Sequence, residues 1–141
     1  MMKLKTVRPS QSYQLNLPQN VCEQVDERVS SFWLDGGHVV LQLSSFIRDE
    51  GPQLKAQHRL DERVKKHKAH WIWWQKKIHP DITIDQATAE FVDDEGLLWI
   101  HSYLVWPHLT VYSTISGPKD IVTKSDNWAL QSLSSLHLIT H

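Results

Sequence analysis

The chain has 141 residues, with 15 Lys and Arg against 16 Asp and Glu for a formal net charge of −1, and 40% of it is hydrophobic. This is the size and apolar content of one domain, read as spanning 1–141, whose core needs no disulfide or metal to staple it. One cysteine, Cys22, excludes an internal disulfide framework, and no apolar run approaches the roughly 20 residues a bilayer demands.

Taken in chain order, "MMKLKTVRPSQSYQLNL" has lysines but no continuous apolar stretch of the signal-peptide kind, so a soluble cytoplasmic protein is expected. In "NVCEQVDERVSSF", Val21, Val25, Val29 and Phe32 repeat at helical spacing, with Asn20 and Glu23 placed like a capping box. A strand from about Val25 onward is favoured there, with a helix within 20–34 as the alternative. Asp35-Gly36-Gly37 then separates two β-prone runs and predicts a hairpin. In "HVVLQLSSFI", Val39, Leu41, Leu43 and Ile47 share one face and Gln42 and Ser44 the other, the pattern of a half-buried strand.

After Gly51-Pro52, which suits a helix entry, Ala56, Leu60, Val64, His67, Trp71, Trp74 and Ile78 follow at spacings of three and four. They predict a long amphipathic helix over about 52–77, stopped by His79-Pro80. "ITIDQATAEFV", "LLWIHSYLVW" and "TVYSTIS", separated by "DDEG" and "PHL", predict three consecutive strands. The middle one is apolar on both faces and is expected to be central and covered on both sides. In "SDNWALQSLSSLHL", Ser125 or Asp126 can cap a short helix over about 126–137.

The expected fold is α+β: an antiparallel sheet of five to six strands packed against the long helix and the short terminal one. This order of elements, with "FWLDGGHVVLQLSS" and "WALQSLSSL" within it, resembles the Mog1/PsbP-like group over most of the chain. The resemblance implies helices laid against a central antiparallel sheet and a binding, accessory or chaperone role without catalysis. It transfers no functional residue.

Nine histidines raise the question of a metal, and His67 and His70 stand three apart on the expected helix. No second cysteine or paired histidine segment completes a four-ligand set, and His79, His101 and His108 are only conceivable partners, so no metal and no cofactor are expected. Cys22 has no glycine-framed elbow beside it and reads as a small apolar residue. Asp93, Asp94 and Glu95 before Gly96 read as a solvated hairpin turn. Nucleotide-binding and hydrolase signatures are absent, so no catalytic residue is assigned.

Charge is divided unevenly. Lys55 to Lys77 holds eight basic residues against Asp61 and Glu62, a balance of +6, which leaves −7 for the other parts of the chain. Within that segment, "HKAHWIWWQKKIHP" interleaves tryptophans with lysines and histidines. On the helical reading Trp71 and Trp74 belong to the core stripe, while Trp73 points away with the basic residues as a binding anchor. The leading expectation is therefore a non-catalytic protein-binding module using Trp73, Lys65, Lys66, Lys76 and Lys77, such as an adaptor, an effector-binding chaperone or an immunity-type protein. One alternative places phosphates on the lysines and a base on Trp73, opposed by the acidic remainder of the chain. Another is a small-molecule binder or enzyme with a pocket between sheet and helix lined by Trp99, His101 and Tyr103.

Overall fold

The structure, a computed structural model, describes residues 2–26, 28–47, 53–124 and 127–139. Its elements in chain order are β1 (Leu4–Val7), β2 (Tyr13–Pro18), β3 (Cys22–Val25), β4 (Ser30–Trp33), β5 (Val40–Ile47), α1 (Ala56–Lys66), β6 (Ile72–Trp73), β7 (Asp85–Val92), β8 (Leu97–Val105), β9 (Leu109–Pro118), α2 (Lys119–Val122), α3 (Trp128–Ser134) and β10 (His137–Leu138). A seven-stranded antiparallel sheet runs β3-β4-β5-β9-β8-β7-β6, and a second, three-stranded sheet runs β1-β2-β10. The architecture is α+β, with more strands than the five or six expected from sequence.

Short turns explain why neighbours in sequence pair. The β4–β5 hairpin closes through Gly36 at φ +72, a backbone state that glycine adopts without steric cost, and the Gly37 N–H donates to the Leu34 carbonyl. The β7–β8 hairpin closes through Gly96 at φ +83. There the Asp93 carboxylate accepts from the backbone N–H of Glu95 and Leu97 and from the Trp99 indole N–H. Segment 20–34 holds strands rather than a helix: Asp26 accepts from the N–H of Arg28 and Val29 and turns β3 into β4. The Asn20/Glu23 capping box therefore caps nothing.

Each face of the large sheet has its own cover. Leu41, Leu43, Ile100, Leu104, Val111 and Ile115 lie on one face, buried under β2 (Tyr13, Leu15, Leu17) and α3 (Ala129, Leu133). On the other, α1 lays Ala56 and Leu60 against Ala87, Ala89, Tyr103 and Val105. The alanines of β7 leave room for the helix, and burying Leu60 completely contributes roughly 1.5–3 kcal/mol. Asp85 of β7 caps α1 by accepting from the Ala56 N–H at 2.9 Å. Strand β8 is central and has one face wholly buried, but on the α1 side Leu97 and Trp99 stay half-exposed, because the helix does not extend over them. Ile47, expected on the core face, is 65% exposed at the end of β5.

The long helix over 52–77 is corrected. Helix α1 ends at Lys66, and His67 leaves it in an extended conformation at φ −101, ψ 100. Trp71–Trp74 is rich in aromatic and β-branched residues, which are weak helix formers. Strand β7 offers this stretch an open edge: Ile72 and Trp73 pair with Glu90 and Ala89, and the Trp74 N–H donates to the Thr88 carbonyl. Trp71 and Trp74 consequently pack against opposite faces of the sheet instead of sharing a stripe. The terminal helix over 126–137 is likewise shorter. Asn127 caps it by accepting from the Ala129 N–H, and His137–Leu138 leaves to pair with β2. The Gly51-Pro52 entry and the Ser125 or Asp126 cap lie outside the described residues. Among the described residues no helix is long and apolar enough to cross a membrane.

Candidate functional site

Two depressions flank α1, because a helix of eleven residues covers only part of its face of the sheet. The first lies toward the β6 edge. It has a volume of about 470 Å³ and is lined by Asp61 from α1, by Trp73, Lys76 and Lys77, and by Gln86 and Thr88 of β7. Trp73 is 38% exposed and Ile72 55% exposed. The hydrogen-bonded pair between Trp74 and Thr88 makes Trp73–Ala89 a non-hydrogen-bonded pair, so the Trp73 backbone N–H and C=O point away from the sheet. Among the described residues no backbone group meets them. The Trp74 indole N–H is held by Glu90 at 3.0 Å, which fixes the start of the Gln75–Lys77 loop.

The second depression, about 370 Å³, lies on the other side of α1 between the helix and β8. Arg59, Arg63 and Lys66 face it from α1, with Glu62 as the acidic group of that wall; His67 borders it, and His101 and Tyr103 form its floor. Arg63 Nε donates to the Tyr103 hydroxyl at 2.9 Å, and its guanidinium lies 4.1 Å from the ring centre of Tyr112, a cation–π contact. Rings enclose His101: Trp71 at 5.0 Å, Phe91 at 5.6 Å and Tyr112 at 5.8 Å between centroids. Burial first, then the charges of Arg63 and His67, push the His101 pKa down to about 4, so the ring is neutral near pH 7. Burial also pushes the Tyr112 phenol up, which keeps its proton on. The Tyr112 hydroxyl bonds His101 Nδ1.

These placements divide the residues expected to act together. Trp73, Lys76 and Lys77 line the first depression. Lys66 lines the second, and Lys65 lines neither, standing 4.0 Å from Glu62 with both side chains in solvent. Of Trp99, His101 and Tyr103, the last two border the helix-side depression, while the Trp99 indole is turned to Asp93. Arg63 and Tyr112 were not singled out from sequence; their roles depend on where α1 docks. His79 is structural: its Nε2 bonds the Leu136 carbonyl at 2.7 Å and its Nδ1 accepts from the Asp81 N–H. Among the described residues no three His, Cys, Asp or Glu side chains converge as a metal site would require.

No family model matches the chain, and no curated protein matches it. The chain is similar in fold to a protein of known crystal structure from Bacteroides thetaiotaomicron VPI-5482, with a TM-score of 0.59 and 16% identity over 99% of this chain. It spans about half of that protein, 49% of its length. At this identity the likeness concerns the fold alone.

Proposed function

We propose that the protein is a protein-binding module that receives an acidic, extended segment of its partner along the β6 edge. The supporting observation is the Trp73 edge: an exposed indole, an outward-facing backbone N–H and C=O, and the exposed Lys76 and Lys77 on one groove. An extended peptide can add to a sheet edge through its main chain and take specificity from side-chain pockets beside it. The lysines supply complementarity to acidic side chains and speed the encounter, and the indole supplies the anchor. The resemblance to Mog1/PsbP-like domains agrees with a binding role and stays part of this proposal. Within it, the groove needs no catalytic group.

The test maps binding on the isotopically labelled protein with three probes: an acidic peptide of alternating Glu and apolar residues, its Lys-substituted counterpart, and a single-stranded oligonucleotide. The acidic peptide is expected to shift the amide signals of Ile72–Lys77 and Gln86–Thr88 and to bind more weakly as salt rises. Trp73→Ala is expected to weaken it about tenfold, the loss of one anchor. If the acidic peptide leaves those amides unmoved, or moves them no more than the basic one, the reading is wrong. Preferred binding of the oligonucleotide, with log affinity falling linearly in log salt, would replace it with the polyanion alternative.

A further inference from the structure

A neutral His101 carries its hydrogen on one of its two ring nitrogens. Tyr112 keeps its phenolic proton, and its hydroxyl has His101 Nδ1 as its hydrogen-bond partner among the described residues. Where that hydroxyl donates, Nδ1 accepts. A neutral imidazole then carries its hydrogen on Nε2. Nε2 is buried and has no partner among the described residues, in a residue only 7% exposed that is among those lining the cavity between α1 and β8. A buried polar atom without a partner is costly, and structures rarely leave one that way unless something else meets it.

The rest of the cavity indicates what that something is. Among the described residues no carboxylate lies within 4 Å of Arg63, whose guanidinium is fixed by Tyr103 and Tyr112 through Nε and the π face. This leaves its terminal nitrogens for a planar oxyanion, which a guanidinium binds in fork geometry. Arg59 and Lys66 add positive charge, against Glu62. Tyr103 and the His67 ring border the space with flat faces, and His67 lies 4.6 Å from Phe91 between centroids, its ring tilted by 41°.

We propose that this cavity is a binding site for a small organic carboxylate carrying a flat ring, with the carboxylate between the Arg63 guanidinium and His101 Nε2–H and the ring against Tyr103 and His67. The two sites lie on opposite sides of α1, so this proposal stands independently of the peptide groove. A neutral histidine suits it: Nε2–H donates without placing a further buried charge beside Arg63, and its hydrogen is held in place by Tyr112 rather than by pH. Tyr112 is thus a positioning residue, and Arg63 and His101 are the ligand contacts.

The experiment titrates the whole chain with benzoate, with benzyl alcohol as its neutral counterpart and with inorganic phosphate as the anion without a ring. It follows the imidazole signals of His101 in long-range nitrogen–proton spectra, together with the Arg63 amide. Benzoate is expected to move the Nε2–H proton of His101 and to saturate, with benzyl alcohol and phosphate each binding at least about tenfold more weakly, the factor one charged or apolar contact supplies. Arg63→Lys, which keeps the charge but loses the fork, is expected to weaken benzoate about tenfold as well. Three results overturn the proposal. The first is an equal response to benzyl alcohol, which makes the site merely apolar. The second is an equal response to phosphate, which makes it a general anion surface. The third is a His101 signal unmoved by tens of millimolar benzoate, roughly the weakest affinity worth calling a site, which means that no carboxylate reaches Nε2. The wild-type titration decides by itself should Arg63→Lys not fold.

Discussion

Tyr112 on β9 reaches diagonally across the strand pair to His101 on β8, and its hydroxyl bonds Nδ1 of the ring that floors the cavity. Burial makes His101 a group whose protonation differs between folded and unfolded chains.

The pH dependence follows from that difference. The folded pKa is about 4 against 6.5 for the free side chain, lowered by burial and then by Arg63 and His67. Between those values the unfolded chain binds more protons. Stability is therefore complete above about pH 6.5 and falls as the pH drops toward 4, by at most ~3 kcal/mol from this residue. Urea unfolding at pH 7 and pH 4.5 measures it. His101→Gln should flatten the decline; an unchanged decline would assign it to other groups.

Proline substitutions test where α1 stops. Val64→Pro falls within the helix and should cost about 3 kcal/mol or more, through a lost hydrogen bond and a clash with the preceding turn. Lys68→Pro should cost much less, because His67 before it is already extended, as a residue preceding proline prefers. Equal losses in thermal melts would restore a helix running on through Trp71.

Gly117 is a packing constraint. A Cβ there would stand 2.9 Å from the His38 carbonyl oxygen and 2.9 Å from Val122 Cγ2, so β9, the approach to β5 and α2 close on one point. Gly117→Ala is expected to lose about 1–3 kcal/mol, the ordinary cost of overpacking. Denaturant midpoints compare it with Gly36→Ala, where nothing lies within 4 Å and only the positive φ is strained.

Asp93 organises the β7–β8 turn, and its carboxyl is held below the usual range first by the Trp99 indole N–H and then by the Leu97 N–H. Its contribution is present above the ordinary carboxylate pKa and is lost as the pH falls through the folded one. Asp93→Asn should lower the thermal midpoint at neutral pH more than Asp94→Asn does, and the gap should narrow in acid. A constant gap at all pH values would show that the charge of Asp93 plays no part.

Alternation made β5 legible in sequence, a run apolar on both faces made β8 so, and turn residues marked the Gly36 and Gly96 hairpins, because those features are local. The end of α1 was not, since the three-and-four spacing runs on through Trp71 and Trp74, and only the open edge of β7, more than a dozen residues away, makes that stretch a strand. In "YQLNL" the alternation of Tyr13, Leu15 and Leu17 with Gln14 and Asn16 marks β2, a signal available in sequence but not used. Two-residue β10 carries no such signal. The site divides in the same way: His101 and Tyr103 share a face of β8 by parity alone, whereas Arg63 and His67 join them only once α1 has docked.

Strand β2 lies between β1, a few residues before it, and β10, near residue 138. Its Asn16 N–H donates to Ser135 Oγ across 119 residues of chain. Closing so long a loop must precede the contacts that reward it, which places this fold among the slow, millisecond-to-second folders. During synthesis Tyr13, Leu15 and Leu17 are made long before the helix and strand that complete their cover. A nascent chain therefore carries an exposed apolar ribbon until those later segments follow, a natural target for ribosome-associated chaperones.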